Sequence, residues 1–197
     1  MSLKLQDADP TSDFPALARA LFEEAREAAI HEAAMRLEDW HTHDPTSHWQ
    51  KVIDTETGNI ATGALWNIYP ENPFAAPKDL PVTWFPDDGS RKYAEQLIES
   101  HGQPRARVGQ RPHVSNRGMG MKKADEMGLE LFLEATPMGR LLYERSGLIV
   151  IEKNVITPQT DSADNAWREM EAKVGSSTHY LIWRPPGGYK EGDTVRP

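Results

Sequence analysis

The chain has 197 residues, with 22 Lys+Arg against 30 Asp+Glu for a net charge of -8, and it has no cysteine. A single domain spanning 1–197 is expected at this length, and 38% hydrophobic residues are enough for a core, which excludes disorder throughout. The absence of cysteine removes disulfide scaffolds, thiol catalysis and cysteine-ligated zinc, and the acidic balance makes nucleic acid an unexpected partner. No apolar stretch reaches membrane-span length and residues 1–30 lack the order of a signal peptide, so a soluble, cytoplasmic protein is expected.

Ser2 to Ala8 alternates at Leu3 and Leu5 and then meets Asp9-Pro10, the pattern of a short strand ended by a turn. Asp13 stands where it can cap a helical stretch from Phe14 to Trp40, read as one long helix or a broken pair. Residues 49–54 and 60–69 flank Thr55-Glu56-Thr57-Gly58-Asn59 as an antiparallel hairpin. Asn72 to Gly89, with four prolines, reads as a surface loop, and Ser90 to Ser100 as a helix.

Gly102 to His113, rich in arginine and proline, shows neither helical nor strand periodicity and reads as unstructured. A Gly-bearing loop then runs into a short helix closed by Gly128. Leu129 to Ala135, Pro137 to Arg145 and Leu148 to Ile156 read as strand, helix, strand, with the two strands expected to be neighbours. Ala163 to Val174 is a further amphipathic helix and His179 to Trp183 a last strand. The six tryptophans, spaced along separate elements, read as core. The fold class is therefore mixed α/β.

Two features in the second half carry chemistry. Arg117-Gly118-Met119-Gly120 opens a helix, where two glycines let the backbone approach an anion such as a pyrophosphate, although a plain tight turn has the same signature. Tyr143, on the helix after the strand ending at Ala135, could return a proton to a departing thiolate, or could be a half-buried ring with its hydroxyl at the surface. His41-x-His43 with Asp44 and His48 could be offered as a metal site, but Asp44-Pro45 marks a turn and solvated histidines are the better reading; no metal is expected.

Ser115-Asn-Arg-Gly-Met-Gly120 resembles the coenzyme A loop of the GNAT N-acetyltransferase superfamily, and Glu134 through Leu148 is similar to its closing strand-helix-strand motif. Segments at Trp40-His41, Asp44-Pro-Thr-Ser47, Trp84-Phe-Pro-Asp-Asp88, Ile156-Thr-Pro-Gln-Thr-Asp161 and Trp183-Arg-Pro-Pro-Gly-Gly188 extend the resemblance, over nearly the whole chain, to filamentous-fungal GNAT proteins. The resemblance implies a three-layer domain, a central mixed and twisted sheet flanked by helices. It implies that the amides of Arg117, Gly118, Met119 and Gly120 grip the pyrophosphate of acetyl-CoA, that Tyr143 is the general acid, and that the acetyl group passes to a primary amine of a small molecule or peptide by direct attack. Glu134 is the first residue to test as the base, and a homodimer is an allowed partner.

Against the family pattern, Ser115 replaces the usual Gln or Arg, the central strand before the loop looks degraded, and the helix after it is short, as internal deletions would leave it. The alternative implied is a catalytically impaired GNAT-like binding or regulatory protein.

Overall fold

Residues 2–22, 27–76, 82–117, 121–192 and 194–197 are described by the computed structural model, with Asn116 and Arg117 described for their backbone alone. Six helices and seven strands alternate among them: β1 (Leu3–Asp7), α1 (Phe14–Leu21), α2 (Glu27–His43), β2 (Ser47–Asp54), β3 (Ile60–Tyr69), α3 (Gly89–Val108), β4 (His113–Arg117), α4 (Met121–Met127), β5 (Glu130–Ala135), α5 (Pro137–Arg145), β6 (Ile149–Ile156), α6 (Asn165–Val174) and β7 (Ser177–Arg184). The fold is mixed α/β with one mixed sheet in the order β1-β2-β3-β4-β5-β7-β6. The chain divides into two compact units, Met1–Tyr69 with Val114–Met121, and Pro70–His113 with Lys122–Pro197.

In the first unit β1 and β2 run antiparallel, with Leu3 opposite Asp54 and Asp7 opposite Gln50, and β2 pairs antiparallel with β3 across the turn containing Gly58. Gly58 sits at φ +75°, which supplies the left-handed turn the hairpin needs. The helical stretch is a pair. In α2, Ile30, Ala33, Ala34 and Leu37 recur at helical spacing and form the buried stripe, against which Phe14, Leu17 and Ala18 of α1 pack. Phe14 meets Trp49 edge-on at 5.4 Å. Leu17 lies so near β3 that a Cβ on Gly63 would fall 2.5 Å from its Cδ2, so a side chain at 63 would collide with the helix. Asp13 takes the position before α1 without its side chain capping the helix. Its Oδ2 instead accepts from Asp9 N–H and Lys51 Nζ, each at 2.6 Å, because the ammonium is a stronger partner than a helix amide.

In the second unit, β5 runs antiparallel to β7, with Leu131 opposite Arg184 and Ala135 opposite Tyr180; β6 also runs antiparallel to β7, with Ile149 opposite Trp183 and Ile156 opposite Ser177. The expected pairing of β5 with β6 is thereby corrected, since β7 lies between them. A strand-helix-strand crossover leaves its two strands parallel but not necessarily adjacent, and a strand of opposite direction can bond to both. Phe132, Glu134, Leu181 and Trp183 share one face of this sheet, on which α3 lies; Leu131, Leu133, Tyr180 and Ile182 share the other, where Arg140 of α5 stands 4.7 Å from the Tyr180 ring. Helix, sheet and helix form three layers in this unit.

The reading of residues 102–113 as unstructured is also corrected. Helix α3 continues through Pro104 to Val108, and β4 follows it. Proline has no N–H to offer the Ser100 carbonyl, and that carbonyl instead accepts from Asn154 Nδ2 of β6 at 2.8 Å. Asp164 caps α6 by accepting Trp167 N–H at 2.7 Å and also accepts Gly89 N–H at 2.9 Å, so one carboxylate closes the first turns of α6 and α3. Those two amides hold its pKa below the usual carboxylate value. Tyr93 meets Trp167 edge-on at 4.9 Å and donates its hydroxyl to the Gly175 carbonyl at 2.8 Å; burial raises its pKa. Of the tryptophans, 66, 167 and 183 are buried as expected, whereas Trp40 and Trp84 are exposed.

Candidate functional site

The sequence candidates fall at three places. β4 ends at Arg117 and α4 begins at Met121, so the Gly118-Met119-Gly120 segment joins a strand to a helix; these three residues lie outside the described ones. The strand expected to be degraded is present as β4, five residues long, with Val114 and Ser115 buried. Ser115 therefore belongs to the interior of its unit. Beyond the loop, Lys122 is 92% exposed and only 3.8 Å from Glu126, a weak surface pair that leaves its charge in water beside the start of α4.

Tyr143 is carried by α5. Thr136 caps that helix, its Oγ1 accepting Gly139 N–H at 3.1 Å, and Pro137 occupies the first turn, where a missing N–H costs nothing. The Tyr143 ring is half-buried over Gly139, with its Cε2 at 3.6 Å from where a Cβ on that glycine would stand. Its carbonyl accepts Ser146 N–H at 2.9 Å and Leu148 N–H at 3.2 Å, which turns the chain into β6 through Gly147 at φ +81°.

Glu134 lies on the other face of β5. Its Oε1 is 3.1 Å from Arg105 Nε, in a pair whose side chains are only 7% and 17% exposed. Glu134 faces α3 and Tyr143 belongs to α5, so the sheet separates the two and does not bring them to one reacting atom. The arginines that the sequence presents as a charged run are divided among sheet carboxylates: Arg105 with Glu134, Arg107 with Glu152 at 2.6 Å, and Arg111 with Glu130 at 2.9 Å. Glu130 also accepts Trp183 Nε1–H at 2.7 Å.

Sequence reasoning misses two histidines of this layer. His113 is fully buried, its ring 5.1 Å edge-on to Phe132 and near-parallel to Phe74 at 6.3 Å, and its Nδ1–H donates to the Arg111 carbonyl at 2.7 Å. Burial pushes its pKa down to about 4, with the Arg105 charge acting the same way and the Arg111 carbonyl and Glu134 opposing. His179 has its Nε2 2.7 Å from Ser177 Oγ and its ring 4.3 Å edge-on to His101; burial lowers its pKa, partly offset by Glu134. The alternation Ser177, His179, Leu181, Trp183 was the available signal that these side chains share one face.

At the other end of the chain, His41 Nδ1 lies 3.1 Å from Ser47 Oγ and His43 Nδ1 2.8 Å from the Asp39 carbonyl oxygen. Among the described residues, no three His, Asp or Glu side chains converge on a point where an ion could be held, and no helix is long and apolar enough to cross a membrane.

Comparison with known protein families and with curated proteins finds no match. Among solved structures, the chain is similar to an acetyltransferase of the GNAT family from Streptococcus pneumoniae, at 12% identity over 94% of this chain and 100% of that one with a TM-score of 0.42. It is also similar to the ribosomal-protein-S5-alanine acetyltransferase from Vibrio fischeri, at 12% identity over 96% of each chain with a TM-score of 0.45.

Proposed function

We propose that the chain is a GNAT-type, acetyl-CoA-dependent N-acetyltransferase, its two units together making one domain, acting in the soluble cytoplasm on a primary amine of a small molecule or peptide. The observation that carries this is the position of the Gly118-x-Gly120 segment: it follows directly on β4 and precedes α4, the strand-to-helix junction at which a resembling coenzyme A loop belongs. The residue types fit a pyrophosphate in kind, with glycines that carry no side chain to obstruct an anion and Lys122 supplying positive charge at the start of α4.

In this reading the amine nitrogen attacks the thioester carbonyl carbon, the carbon–sulfur bond breaks, and the departing thiolate takes the Tyr143 phenolic proton. The amine loses its proton to a water chain. Glu134, engaged by Arg105 on the α3 face, is assigned here to holding that helix. Calorimetry with acetyl-CoA tests the proposal: the chain binds it, and Gly118→Glu, which adds bulk and negative charge beside the pyrophosphate, abolishes binding. Unchanged affinity in that variant removes the loop from the site.

One observation favours the second reading, a protein that binds without turning over. Among the described residues helix α4 has seven, about two turns at ~3.6 residues per turn, so little helix stands behind the loop. Binding of acetyl-CoA with no turnover on any of a panel of primary amines selects that reading.

A further inference from the structure

The face of β1–β3 turned away from α1 and α2 holds two buried hydrogen-bonding atoms that have no partner among the described residues. In the β2–β3 register His48 stands opposite Trp66 and Gln50 opposite Ala64, so these four side chains share a face. Trp49, Lys51 and Gly63, which meet α1 and the residue before it, are on the other. Trp66 is 6% exposed, and its Nε1–H has no acceptor among the described residues; Gln50 Oε1 is likewise buried with no donor. The orientation of the Gln50 amide is fixed by β1: its Nε2 donates to Asp7 Oδ1 at 3.0 Å, and exchanging nitrogen and oxygen would set two acceptors against each other.

The large majority of buried side-chain polar atoms are answered by protein, water or ligand. Here one atom requires an acceptor and the other a donor. They sit on diagonal neighbours of an antiparallel pair, about 7–8 Å apart at the backbone, a separation that side chains as long as Trp and Gln can close on a shared group. Both atoms belong to neutral groups, so a charged ligand group buried against them would have no counter-charge. A neutral amide has the required sense, with a carbonyl oxygen to accept and an N–H to donate.

We propose that this face binds a neutral amide, a carboxamide or a peptide group, whose carbonyl accepts from Trp66 Nε1–H and whose N–H donates to Gln50 Oε1, with Val52 and Ala64 beside its carbon substituents. The site is independent of the acetyl-transfer proposal.

The test follows the indole resonances of the full, nitrogen-15-labelled chain, with Trp66 assigned by Trp66→Phe and N-methylacetamide as the probe. The Trp66 Nε1–H signal shifts saturably with N-methylacetamide. Methyl acetate, the same shape without the N–H, gives no saturable shift, and Gln50→Leu weakens the amide by about tenfold, the scale of one lost hydrogen bond. A linear drift without saturation, an equal response to the ester, or an undiminished response in a folded Gln50→Leu variant overturns the proposal. So does a water only, seen as an indole-to-water cross-peak that persists at the highest amide concentration. Should either variant fail to fold, the amide-against-ester comparison decides on the unaltered chain, with the tryptophan signals assigned by triple-resonance spectra.

Discussion

Arg105 and Glu134 are 29 positions apart in sequence and form the least exposed ion pair between α3 and the sheet of its unit, Nε to Oε1 at 3.1 Å. Removing one partner leaves a charge largely out of water. Glu134→Leu is expected to cost about 3–5 kcal/mol, while Arg105→Leu with Glu134→Leu recovers most of that loss. Urea unfolding of the two single variants and the double variant measures the coupling. Were Glu134 instead the base of an acetyl transfer, Glu134→Gln would stop turnover and Arg105→Leu would not.

Stability should fall in acid through His113. Its folded pKa of about 4 lies below the ordinary value near 6.5, so the folded state holds the ring neutral while the unfolded chain takes up a proton. The stabilisation is complete above about pH 6.5 and is lost progressively as the pH falls to about 4, a change of about 3 kcal/mol. Unfolding free energies measured between these pH values for the parent and for His113→Asn should differ in slope, the variant being flatter whatever its own stability.

The hairpin, β1, both parts of the helical pair, α5 and α6 were legible because each carries a local signal: Gly58 in a turn, Pro137 at a first helical turn, apolar spacing in α2. The stretch from Gly102 to His113, which holds the tail of α3, was not, because its prolines and three arginines break the periodicity while their compensation is distant. Asn154 answers the carbonyl that Pro104 leaves without an amide, and Glu134, Glu152 and Glu130 take the arginines. β4 was hidden for a related reason, since the buried residue that opens it is a histidine. Tyr143 could be placed on its helix from sequence, but the separation of Tyr143 from Glu134 by the sheet follows from the register of β5 against β7, which no local pattern states.

Tyr143→Phe separates chemistry from packing. Under the acetyl-transfer proposal it lowers turnover by about 100-fold or more, the scale of losing a positioned acid, with little change in acetyl-CoA affinity or thermal midpoint. Full activity in the phenylalanine variant ends the general-acid assignment.

Gly63→Ala is expected to destabilise the first unit by about 1–3 kcal/mol, because the added methyl lands on Leu17 Cδ2. Leu17→Ala in the same chain removes the collision while emptying the core, so the double variant should be less unstable than the two single losses summed. Thermal midpoints of the four proteins check the non-additivity.

The position of β7 between β5 and β6 bears on how the protein is made. β5 and β6 precede in the chain the strand that joins them, and until Ser177–Arg184 is in place each has a bare backbone edge where β7 will bond. A chain truncated after Val174 would offer those edges to chaperones and to other chains, and a chain that includes Ser177–Arg184 would not.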